Sequence, residues 1–77
     1  MIHNRLALFR TEKNLSRAEF ANLVGVNPQT IGFLERGAYC PSVELSLKLA
    51  KALDVRVEDL FSLESFPPLS KQLEKEK

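Results

Sequence analysis

Apolar side chains recur along this chain at helical spacing, in five short runs separated by residues that start or stop helices. The first run predicts a helix over 4–13, with Leu6, Phe9 and Arg10 on one face and Arg5, Glu12 and Lys13 toward water. A second opens at Ser16, where Glu19 three residues on completes a capping box and Leu15 can staple against Phe20. Its apolar positions are Phe20, Ala21, Leu23 and Val24, and it ends at Gly25, where a positive φ costs glycine little. Asn27 then suits an N-cap, and Pro28 suits the first helical position because its missing N–H has no intrahelical partner there. Ile31 and Leu34 mark the buried face of this third helix, and Gly37 stops it.

Ser42 caps a fourth helix that runs to about Leu53. Val43, Leu45, Leu47, Leu49, Ala50 and Leu53 cover more than one stripe of it, as in a central helix or one that also meets a second chain. The fifth helix, 57–62, turns Val57, Leu60 and Phe61 inward. Its N-cap position, Arg56, lacks a capping oxygen, although Glu58 and Asp59 in the first turn suit the helix dipole. Beyond Leu63, Ser65-Phe66-Pro67-Pro68 cannot continue a helix, and the charged end SKQLEKEK is expected to fray. Met1–His3 and Phe61–Phe66 are both compatible with extended backbone and can form a short β-pairing. The expected fold is all-α, five helices with at most that pairing of the termini. A domain over 1–63 is followed by an extension, 64–77, that serves dimerisation or frays.

At 77 residues this is one domain, near the lower limit for a self-sufficient core. The 44% hydrophobic and 27% charged fractions suit a folded chain. No run approaches the roughly 20 apolar residues of a membrane span, and the start MIHNRLALFR is not a signal peptide. A single cysteine, Cys40, forms no internal disulfide and reads as a small loop residue, which points to a reducing cytoplasm. His3 stands alone, so a metal site is not expected. No nucleophile–base pair, paired catalytic carboxylates or phosphate loop is evident, so neither an enzyme, a cofactor nor a small-molecule ligand is expected. The segment 15–42 is instead two short helices about a glycine turn, which exposes the polar start of the third helix where it can enter a DNA groove. Net charge is only +1. Residues 1–37 hold five basic side chains (Arg5, Arg10, Lys13, Arg17, Arg36) against three acidic ones (Glu12, Glu19, Glu35). DNA binding must therefore rest on geometry and a few placed cations.

Several linked segments resemble the Xre, or Cro/CI-type, helix-turn-helix family of prokaryotic and phage regulators. They are LFR in the first helix, LSRAEFA, the GVNPQTI turn, LERG, PS at the head of the fourth helix and KALDVRVEDLF, together spanning about 4–63. Ala21, Gly25, Ile31 and Leu34 match the family's small, glycine, β-branched and apolar positions. The resemblance implies a structural ion pair between Arg10 and Glu35, neither of which then contacts DNA. It also implies that the third helix lies in the major groove and the second crosses the backbone. Asn27, Pro28, Gln29, Thr30 and Phe33 are then exposed toward the duplex. Gln29 can bond adenine N6 and N7 together, and Thr30 can reach a base edge or a phosphate. Arg17 stands where the family often has a phosphate-contacting glutamine, and Arg36, Tyr39 and Ser42 can contact backbone.

Gly32 and Phe33 depart from the pattern: a glycine inside the third helix, and an aromatic where polar residues are usual. The partners implied are double-stranded DNA and a second copy of the chain, since family members read two half-sites as dimers. Compact members dimerise through the C-terminal region, which implies an interface at Leu60, Phe61, Leu63 and Phe66, extended by Leu45 or Leu49. The reading is a stand-alone cytoplasmic, nucleoid-associated repressor that occludes a promoter. The alternative is an antitoxin-like protein-interaction module, favoured by the low net charge and Phe33.

Overall fold

The computed structural model describes residues 2–38 and 40–66. Its elements in chain order are β1 (His3–Asn4), α1 (Leu6–Glu12), α2 (Arg17–Val24), α3 (Pro28–Glu35), α4 (Val43–Leu53), α5 (Val57–Leu60) and β2 (Phe61–Ser62). Among the described residues there are five helices, as the apolar spacing predicts, and the expected short antiparallel pairing, which joins His3–Asn4 to Phe61–Ser62.

The local signals at the helix ends act as their chemistry dictates. At α2 the Ser16 hydroxyl accepts from the Glu19 N–H at 3.0 Å while the Ser16 N–H donates to the Glu19 carboxylate at 2.9 Å. Gly25 closes α2 in the left-handed region, φ 74°, and its N–H returns to the Ala21 carbonyl. Asn27 caps α3 by accepting from the Gln29 N–H at 3.1 Å, and Ser42 caps α4 by accepting from the Leu45 N–H at 3.1 Å. At α5 Arg56 offers no capping oxygen, and only the return half of a capping box forms: the Asp59 carboxylate accepts the Arg56 N–H at 3.0 Å.

Two boundaries and the exposure of one side chain differ from expectation. Asn4 does not begin α1; its backbone pairs with Phe61 in the ladder, and His3 pairs with Ser62. Its side chain instead joins two elements, with Oδ1 accepting from the Leu6 N–H at 3.1 Å and Nδ2 donating to the Leu34 carbonyl at 2.9 Å. Helix α5 stops at Leu60 because Phe61 is extended (φ −126°, ψ 143°) and enters β2. Arg5 is half-buried rather than turned to water: its N–H donates to the Leu60 carbonyl at 2.8 Å and its guanidinium lies 4.2 Å from the Phe66 ring centroid. The predicted fraying of the end and the extended Pro67-Pro68 lie outside the described residues.

Every helix contributes to one core, formed by Leu6, Phe20, Ala21, Val24, Ile31, Leu34, Leu49, Ala50, Leu53 and Leu60. Leu60 is completely buried there, and so is Leu49. Neither side chain can therefore serve the dimer contact expected of it, because helical periodicity alone does not say whether an inward face meets its own core or a partner. Leu45 is half-buried against the same core. The outer apolar positions of α4 are Val43 and Leu47, both exposed. Ala21 is buried on α2 and Ile31 and Leu34 on α3, so small and branched side chains set the helix-turn-helix crossing.

Candidate nucleic-acid interface

The turn between α2 and α3 delivers the start of α3 to the surface. Asn27, Pro28 and Gln29 are exposed, Thr30 is half-buried, and Phe33, one helical turn further on, is 45% exposed. The capping bond of Asn27 occupies its oxygen and leaves the amide N–H groups as donors. Gln29 is exposed, with its backbone N–H taken by the Asn27 cap.

An open groove of about 400 Å³ runs along this surface, lined by Arg17, Pro28, Gln29, Gly32, Phe33 and Arg36. It brings together five of the residues expected to contact DNA, from two helices and the end of α3. Two guanidinium groups flank an aromatic ring and a carboxamide, a set of donors and one apolar face suited to phosphates and base edges. Neither Thr30, on α3, nor Asn27, its N-cap, lines the groove, and Ser42 heads α4, where its hydroxyl oxygen serves the cap. Tyr39 lies outside the described residues.

Gly32 makes this surface close-packed. It is buried, and a β-carbon added there would meet Nη1 of Arg36 at 3.3 Å. The Arg36 side chain therefore folds back along α3 over bare backbone, with its guanidinium 5.1 Å from the Phe33 ring centroid. The departure at Gly32 thus leaves room for the Arg36 guanidinium against α3.

Behind the groove, Glu35 ends α3 with a side chain only 3% exposed. Arg10 Nε donates to one carboxylate oxygen at 2.6 Å, and Arg10 Nη1 donates to the Leu15 carbonyl at 2.7 Å. Arg10 thereby ties α1, the α1–α2 connection and α3 together. The other carboxylate oxygen accepts from Arg17 Nε at 2.9 Å. That second bond was not visible from spacing, because residues 17 and 35 are neighbours only once α2 and α3 cross.

The sequence profile of the helix-turn-helix family matches residues 6–60. The chain belongs to that family of DNA-binding transcriptional regulators. An uncharacterized regulator of this type from Archaeoglobus fulgidus is 40% identical over 60 residues, 78% of this chain and 84% of its own length. The crystal structure of the restriction-modification controller protein C.AhdI from Aeromonas hydrophila superposes with a TM-score of 0.66 at 39% identity. That match covers 70% of this chain and 82% of the other. A solved Bacteroides fragilis protein gives 0.73 at 26% identity, over 80% of this chain and 100% of that one. This helix-turn-helix chain is thus similar to its relatives across both the site and the surrounding core. Among its described residues, no helix is long and apolar enough to cross a membrane, and no group of three or more His, Cys, Asp or Glu could hold a metal ion.

Proposed function

We propose that the protein is a dimeric repressor that inserts α3 into the major groove of a near-palindromic operator and blocks a promoter, acting in the cytoplasm on the nucleoid. The observation that carries this reading is the groove on α3, where Arg17 and Arg36 flank Gln29 and Phe33. In this reading Gln29 reads adenine, with Asn27, Pro28, Thr30 and Phe33 against neighbouring base edges. Arg17, Arg36, Tyr39 and Ser42 hold phosphates and set the register. Residues 1–63 form the DNA-binding unit and 64–77 an extension to it. The dimer contact is proposed at Phe61, Leu63 and Phe66, of which Leu63 is 81% exposed.

Selection from random duplex DNA at moderate salt tests the reading. A motif of two related half-sites about 34 Å apart is the expected result. A protein that stays monomeric and enriches no motif overturns it. In that case the interaction-module reading takes over, supported by the exposure of Phe33, Val43 and Leu47.

A further inference from the structure

The Glu35 carboxylate is shared. Arg10 Nε holds one oxygen at 2.6 Å, and the other accepts from Arg17 Nε at 2.9 Å and, at a longer 3.5 Å, from Arg10 Nη2, so three helices meet on a single negative charge. Two guanidinium groups against one carboxylate leave one positive charge in excess. The side chains differ in exposure: Arg10 is 13% exposed, Arg17 52%. The excess charge is therefore displayed at Arg17, on the wall of the α3 groove.

Arg17 also occupies the first position of α2, where a cation opposes the helix dipole. Lacking a partner, it would swing into solvent. Glu35 takes Nε alone, which leaves the two terminal amino groups for a second acceptor. Only arginine has donors in this arrangement, one edge for the carboxylate and a fork for a phosphate. A lysine ammonium is a single point that must choose between them.

We infer that Glu35 is a positioning residue for DNA binding, which holds Arg17 by Nε so that its terminal amino groups stand ready as a phosphate clamp beside the recognition helix. This rests on the reading of Arg17 as a phosphate contact and adds to it the buried group that orients the contact. The same carboxylate also closes the scaffold through Arg10, whose Nη2 reaches the oxygen that holds Arg17 at 3.5 Å, so the two roles are told apart by binding and not by folding.

The test uses the duplex selected by the wild-type protein, with binding followed by fluorescence anisotropy and folding of each variant confirmed by circular dichroism. Arg17→Ala should weaken binding about tenfold, and Arg17→Lys should weaken it nearly as much although charge is kept. In the Glu35→Gln background, Arg17→Ala should cost about threefold or less, because the clamp is already unseated. A Glu35 that only stabilises the fold would leave that ratio as it is in the wild type. Wild-type affinity in Arg17→Lys, or an unchanged ratio in Glu35→Gln, overturns the inference while DNA binding stands. Should Glu35→Gln fail to fold, Glu35→Asp, which keeps the charge and shortens the reach to Arg17, takes its place in the same double-mutant comparison and is read by the same ratio. If the wild type selects no site, the functional reading falls and takes this inference with it.

Discussion

The Arg36 guanidinium lies 5.1 Å from the centroid of the Phe33 ring, seated over the backbone of Gly32. A β-carbon at residue 32 would stand 3.3 Å from Nη1 of Arg36 and press it aside by a few tenths of an ångström, while glycine in a helix interior is about 0.8–1.0 kcal/mol less favourable than alanine. Gly32→Ala should stabilise the fold by about 0.5 kcal/mol, since only the end of a flexible side chain has to yield. The same change should weaken DNA binding by displacing Arg36. Thermal melts and anisotropy on one preparation check both directions.

Gln29 and Arg36 should separate in the kind of loss they cause. Gln29→Ala should relax one base position in each half-site by about 1–3 kcal/mol. Arg36→Ala should weaken all sequences alike and flatten the salt dependence. Competition with single-substituted duplexes at two salt concentrations distinguishes the two.

Removing Arg10 leaves the Glu35 carboxylate buried with only the more exposed Arg17 as partner. Breaking a buried pair costs about 3–5 kcal/mol; with Arg17 still in place, Arg10→Ala should cost about 2–3. Urea denaturation gives the value, and a loss below 1 kcal/mol would show that Arg17 suffices.

The capping box predicts an acid limb. The Ser16 backbone N–H, 2.9 Å from the Glu19 carboxylate, is the main cause of a pKa below the ordinary glutamate value, with the Ser16 side chain second. A group depressed in the folded state contributes its stability above the unfolded pKa and loses it as pH falls through the folded one. The melting-temperature difference between wild type and Glu19→Gln should therefore be constant near neutral pH and shrink in that acid window. A difference independent of pH down to about pH 3 would contradict it.

Leu60 and Leu63 should behave oppositely. Leu60→Ala opens the core and should cost about 2–5 kcal/mol. Leu63→Asp changes an exposed site, so it should leave monomer stability within about 0.5 kcal/mol while weakening self-association. Sedimentation equilibrium reads the second effect.

Local chemistry was legible from sequence wherever cause and effect lie within a few residues. Ser16 with Glu19, Asn27 with Pro28, and Ser42 all begin helices where the spacing places them. Long-range pairings were legible only in part: the Arg10–Glu35 pair followed from the family resemblance and a pairing of the termini from their extended-compatible segments, but the partners of Asn4 and Arg17 did not. Asn4 stands outside α1, paired with Phe61 and with its amide on a carbonyl 30 residues away, and Leu60 and Phe61 read alike although one is core and the other starts a strand. At the interface, residue types on α3 could be named, but the seat of Arg36 on Gly32 and the bond from Arg17 to Glu35 arise only from packing. Left-handed backbone at Asn14 and Asp54, each with φ 57°, likewise carried no glycine signal.

Helix α3 is held at both ends: Asn27 fastens its first turn, while Glu35 and the Asn4 amide on the Leu34 carbonyl fasten its last. A helix gripped in this way has little freedom to roll or slide within a groove. Any misfit between the protein and a binding site must then be absorbed by bending or twisting of the duplex. Base steps that are never touched, through their stiffness alone, would help decide which sites are chosen.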